Sequence, residues 1–154
     1  MGGIKTDMLF INALMASDEV TAMVGDRIFD TAIPGKDEDV DNEPVPYIIV
    51  SHNGLNNEDW TKDNDGEGET DVVQIGMTVA ANDREELADL CILIRQAVND
   101  YLDNYEPQEG EEDFTDDLPE NREFSMQKVQ YDPWKPCFFV DLNWTCDINN
   151  LELS

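Results

Sequence analysis

Residues 71–102 constrain this chain more than any other stretch, because a run that alternates like a strand leads straight into the pattern of a long amphipathic helix. Val73, Ile75, Met77 and Val79 alternate with Gln74, Gly76 and Thr78, the period of two expected when one strand face is buried. Val72 and Ala80 leave the second face only partly polar. Asn82 and Asp83 then offer capping oxygens, each with a glutamate three residues on (Glu85 or Glu86), so a capping box can start a helix in either of two registers. Within that helix Leu87, Leu90, Cys91, Ile94, Ala97, Val98 and Tyr101 recur at three- and four-residue spacing and share one stripe. Burying each large side chain contributes roughly 1.5–3 kcal/mol, so the stripe predicts the main core. Asp89, Gln96, Asn99, Asp100 and Asp103 take the opposite side, with Leu93 at the margin and Ile92 projecting among them. Ile92 is therefore either an isolated exposed apolar side chain, which is common on protein surfaces, or a contact with a second chain.

The remaining elements are arranged around this unit. Met8, Ile11, Leu14 and Met15 form a helical stripe over residues 7–16, with Asp7 as cap. Ser17 and Asp18 can start a short second turn over residues 19–24, which Gly25 ends. Residues 26–29 are extended, and residues 34–46, rich in proline and acids, form an exposed loop. A strand is expected over residues 47–52. Residues 53–70 make a long polar connection whose only bulky anchor is Trp60, a side chain that either packs back on its own domain or meets a partner. Residues 104–121 are acidic, offer almost nothing to bury and predict loose order. A strand over 124–131, a turn at Asp132-Pro133-Trp134-Lys135-Pro136 and a strictly alternating strand over 137–148 complete the chain. There is no internal repeat and no linker between two cores. Residues 1–154 thus read as a single domain of α+β class, with a mixed or mainly antiparallel sheet and helices packed on one face.

Charge excludes one class of function. Against 36 Asp and Glu stand 9 Lys and Arg, a formal net charge of −27, whereas every contact to a nucleic-acid phosphate calls for a cation. The N-terminal residues lack an apolar signal-peptide core and no apolar run approaches membrane-spanning length, so the expected setting is the cytosol. Cys91, Cys137 and Cys146 lie in apolar segments without CxxC spacing and read as core thiols. The single histidine, His52, has no nucleophile or second histidine patterned beside it and reads as structural or solvated. Asp63, Asp65, Glu67, Gly68 and Asp71 resemble half of a calcium loop, but Gln74 stands where a bidentate glutamate belongs, which favours a solvated acidic hairpin. No catalytic residue, metal site or cofactor site is assigned, and the expectation is a protein that is not an enzyme.

The segment 14–28 (LMASDEVTAMVGDRI), the later Val45-Pro46-Tyr47-Ile48-Ile49-Val50 and the strand–helix of 72–98 together resemble the tail-completion or tail-terminator proteins of long-tailed bacteriophages. The C-terminal strand fits the same order of elements, and the acidic inserts at 36–43 and 104–121 depart from it. The resemblance implies a small α+β subunit that forms a six-fold ring on the tail tube and offers the tail to the head connector. Its implied partners are further copies of itself, the tail-tube protein and a head-connector protein, without specific nucleic-acid binding or a membrane. The implied place is the tail or neck of the virion, after assembly in the host cytoplasm. Two competing readings remain: a head-to-tail adaptor of the neck, and an acidic DNA mimic that inhibits a nucleic-acid-binding protein.

Overall fold

A strand and a helix are both realised at the middle of the chain, and one capped corner joins them. The computed structural model describes residues 5–30, 44–57, 70–107, 109–110, 113–115 and 118–149. Along these run α1 (Thr6–Met15), α2 (Asp18–Val24), β1 (Ile28–Asp30), β2 (Tyr47–Asn57), β3 (Thr70–Ala81), α3 (Arg84–Asp103), β4 (Glu120–Met126), β5 (Gln130–Asp132) and β6 (Cys137–Asn149). Of the two capping registers Asp83 wins: its carboxylate accepts from the Glu86 amide at 2.8 Å. Glu86 in turn accepts from the backbone and side-chain nitrogens of Asn82 at 2.8 and 3.0 Å, so the corner satisfies donors in both directions. The far end of α3 is less favourable, because Asp100 and Asp103 sit at the negative end of the helix dipole. Arg122 of β4 pairs with Asp103 and relieves part of that repulsion.

The strands form one mixed sheet in the order β1-β2-β3-β6-β4, with β5 also paired to β6. Among the described residues only β1 and β2 run parallel; the other pairs are antiparallel. Val73, Ile75, Met77 and Val79 of β3 and Val140, Leu142, Trp144, Cys146 and Ile148 of β6 all face one core. The helices cover that face. Leu9, Phe10, Ala13 and Leu14 of α1 and Leu87, Leu90, Ile94 and Val98 of α3 are buried against it. Trp144 sits at the centre, edge-on to Phe10 at 5.4 Å and to Phe124 at 5.0 Å between ring centres. Tyr101, placed on the core stripe by its spacing, is only half-buried, and Leu102 beside it is buried instead.

Other sequence expectations change as well: α1 starts at Thr6 behind Lys5 with no side-chain cap, so Asp7 lies in its first turn and is not its cap. β2 does not stop at residue 52; it continues to Asn57 because a bulge between His52 and Gly54 absorbs Asn53 and restores pairing, Leu55 opposite Val73. Gly54, at φ +148°, supplies a backbone conformation that other residues rarely adopt. The strand expected over 124–131 is two strands, β4 beginning earlier at Glu120 and β5 following after residues 127–129. Both lie along the thirteen-residue β6, which is long enough to pair with each in turn. Finally, the acidic stretch after α3 does bury something. Phe114 is 5% exposed within the core cluster, and its amide donates to the Tyr105 hydroxyl at 2.9 Å.

Candidate assembly surfaces

Reactive groups are held quiet in this fold. All three cysteines are buried and free, in line with their reading as core thiols. Burial pushes the Cys91 thiol up to about 11 and the Cys146 thiol up to about 12, so both stay protonated and poorly nucleophilic at neutral pH. Cys137 shifts the same way, through burial and then the nearby Asp132 carboxylate. His52 lies half-buried within β2 rather than at its end. Near it, burial raises the Asp7 carboxyl above its ordinary value; Asp30, charged and hydrogen-bonded to it, adds to the rise, and His52 opposes it. Among the described residues no three His, Cys, Asp or Glu side chains converge as a metal site. Of the acids in the calcium-like register only Asp71 is described, and it is buried in β3 opposite Ile148.

What the fold leaves open is surface for contact. The sheet face turned away from the helices is polar at its middle, where Ser51, Asn53, Thr78, Asp141 and Asn143 line a shallow hollow of about 360 Å³. Thr78 donates to Asp141 at 2.7 Å across it. Gly76 forms its floor, and the Asn53 amide lies where a Cβ would have to go. Ile92 emerges from the solvent side of α3 at 56% exposure, as its place in the helical pattern requires. Trp60, the other expected contact, lies outside the described residues.

The most exposed large apolar side chain among the described residues is one that the sequence pattern did not single out. Trp134 is 90% exposed at the tip of the turn between β5 and β6. Asp132 holds that turn, accepting from the amides of Trp134 at 3.0 Å and Lys135 at 3.4 Å. Tyr131 (52% exposed) and Met126 (48%) share the same sheet edge. A signal existed in the sequence: a tryptophan between two prolines in a compulsory turn has little chance of reaching a core.

On the helix layer, the end of α1 and the start of α2 stand apart from the second half of α3 and leave a groove of about 480 Å³. Ala13, Leu93, Ala97 and Tyr101 supply its apolar part, and Asp18, Glu19, Asp100 and Glu106 its acids. The opposite flank of α3 faces β4: the Arg95 guanidinium lies 4.1 Å from the centre of the Phe124 ring, and Asp103 pairs with Arg122.

Among the described residues the fold presents an exposed aromatic turn, a helical groove and a polar sheet face, surfaces suited to contact with other chains. The chain belongs to the tail completion protein gp17 family, whose model matches residues 10–104, more than half of the 154. It is a structural protein of the phage tail, as the resemblance in its sequence implied. The fold is similar to that of a chain in the virion of a native gene transfer agent particle, with a TM-score of 0.56, 17% identity and 94% of each chain covered. No curated protein matches the sequence.

Proposed function

We propose that this protein is a tail terminator, a subunit that closes into a homo-hexameric ring on the end of the tail tube and joins the tail to the head connector. The family match over α1 to α3 carries the reading. Two physical features support it. A head-to-tail contact between unlike surfaces closes into a ring when its rotation allows, and the chain offers unlike surfaces in its sheet edges, its turn and its helical groove. A net charge of −27 suits a lumen through which DNA passes without sticking, because carboxylates repel phosphate.

The DNA-mimic reading is less well supported. A mimic needs carboxylates regularly spaced on one rigid face, but the outer face of α3 interrupts Asp89 and Asp100 with Ile92, Arg95 and Gln96. Beside Asp141, the polar hollow of the sheet carries Ser51, Asn53, Thr78 and Asn143 rather than an acidic row.

Association is the property to measure. Light scattering and electron microscopy across sodium chloride and magnesium series, with and without purified tail tubes, should show rings that strengthen with salt. Repulsion between acidic subunits is screened as the Debye length falls from about 10 Å at 0.1 M to about 3 Å at 1 M, whereas apolar contact is not. A persistent monomer in the presence of tail tubes refutes the reading. Association indifferent to Ile92→Asp rejects only Ile92 as a contact.

A further inference from the structure

We infer that the β5–β6 turn of one copy, led by Trp134, docks into the acid-rimmed groove between α1, α2 and α3 of the next copy. The inference rests on the ring reading above and names its contact.

Four observations converge on it. First, Trp134 is 90% exposed on a turn already held by Asp132, so it is presented as an ordered anchor and loses little freedom on binding. Second, in a chain with 36 acids to 9 bases, residues 133–136 of the turn carry one cation, Lys135, and no acid, with the Lys135 ammonium 5.1 Å from the centre of the Tyr47 ring. Third, the groove has the complementary chemistry: Asp18, Glu19, Asp100 and Glu106 line it together with apolar Leu93 and Ala97, and no cation does. Its volume of about 480 Å³ admits an indole, whose ring finds apolar contact while its N–H, a donor without an acceptor function, meets carboxylate oxygens. Fourth, the groove opens on one flank of α3 while Arg95 and Asp103 on the other flank face β4. The turn is carried instead by β5 and β6, and its Lys135 lies over the Tyr47 ring of β2, so groove and turn are different surfaces of one copy. Docked once between successive copies, such a contact is heterologous and leads to a ring or a filament, whereas reciprocal docking would close a two-fold dimer.

Cysteine cross-linking tests this directly, because the three native thiols are buried and free. Glu19→Cys and Pro133→Cys, both at exposed positions, are placed in one chain and treated with a short bis-maleimide under conditions where the wild type assembles, with far-UV circular dichroism confirming the fold. The expected result is a ladder of covalent oligomers up to the ring, absent from either single variant. Trp134→Ala should weaken association on the order of 30-fold or more, the size of an interface hot spot. Cross-linking that stops at dimers overturns the head-to-tail geometry. Assembled rings without cross-links, and with association unmoved by Trp134→Ala, overturn the contact and leave the ring reading standing. If Trp134→Ala abolishes tube binding without cross-links forming, the turn meets the tube protein and the inference fails. A wild type that stays monomeric on tail tubes overturns both readings.

Discussion

Trp144 joins three elements, and its removal should be among the most damaging single changes in the core. The side chain is buried on β6 between Phe10 of α1 and Phe124 of β4, each ring meeting it edge-on. A buried tryptophan covers roughly 150–250 Å², worth about 4–6 kcal/mol at about 25 cal/mol per Å². Alanine retains a small part of that, and relaxation around the cavity offsets more, so Trp144→Ala should cost about 3–5 kcal/mol. Each edge-on pair contributes about 0.5–1.5 kcal/mol beyond area, and Trp144→Phe, which keeps an aromatic ring, should lose distinctly less. For a domain of this size the alanine variant should melt roughly 6–20 °C below wild type. Urea unfolding followed by far-UV circular dichroism is the appropriate assay, since the substitution removes a fluorophore. A loss below about 1 kcal/mol would mean that Trp144 does not join helix, edge and sheet. A double-mutant cycle with Phe10→Leu should give a coupling of about 0.5 kcal/mol or more; additive losses would refute the direct contact.

Asp83→Ala should destabilise by about 1 kcal/mol through loss of the bond to the Glu86 amide, seen as a drop of roughly 2–4 °C in melting temperature. Asp7 has a folded pKa above its ordinary 3.8, so stability falls as pH rises through the interval between that value and the raised one. Asp7→Asn should therefore gain on the wild type above that interval and converge with it below, and a gap that is constant across the pH series would refute the assignment. Alkylation should leave native protein unlabelled at Cys91, Cys137 and Cys146 and give three labels after denaturation without reductant, read by mass. Rapid native labelling of Cys91 or Cys146 would contradict their burial and raised pKa values.

The elements that were legible in the sequence are those whose neighbours along the chain carry the signal. The period of two in β3 and β6 and the stripe in α3 follow from burying one face, and each is read within a single segment. Where turn chemistry and strand pairing compete, local reading falters. Asn53-Gly54 has the composition of a loop, yet the bulge uses the same residues to carry β2 onward opposite β3. Phe114 is a lone aromatic among acids, and only the nearby Tyr105 hydroxyl and the core beneath reveal why it is held. The parallel pairing of β1 with β2 left no local trace, because strand direction depends on where the connection returns and not on the residues paired.

Contact surfaces pose a harder problem than core, since they are built from ordinary residue types in unusual exposure. Ile92 could be found because a helix converts sequence position into angle, so an apolar residue on the polar side stands out from the spacing alone. Trp134 and the groove are not of that kind. The prolines around Trp134 argue against a place in the core, but the extent of its exposure, 90%, follows from the actual course of β5 into β6. The groove depends on the distance between the α1–α2 corner and α3, helices separated in sequence by three strands, so no window of sequence contains it. Its acids were individually unremarkable in a chain with 36 of them; what distinguishes Asp18, Glu19, Asp100 and Glu106 is that the fold gathers them around apolar Leu93 and Ala97. A charge that merely keeps a protein soluble faces water on all sides, whereas one beside a concave apolar surface is desolvated when that surface is covered and must then find a donor. For that reason the complement of this groove has to bring hydrogen-bond donors along with apolar area, and a tryptophan, with its indole N–H and Lys135 beside it, meets both requirements.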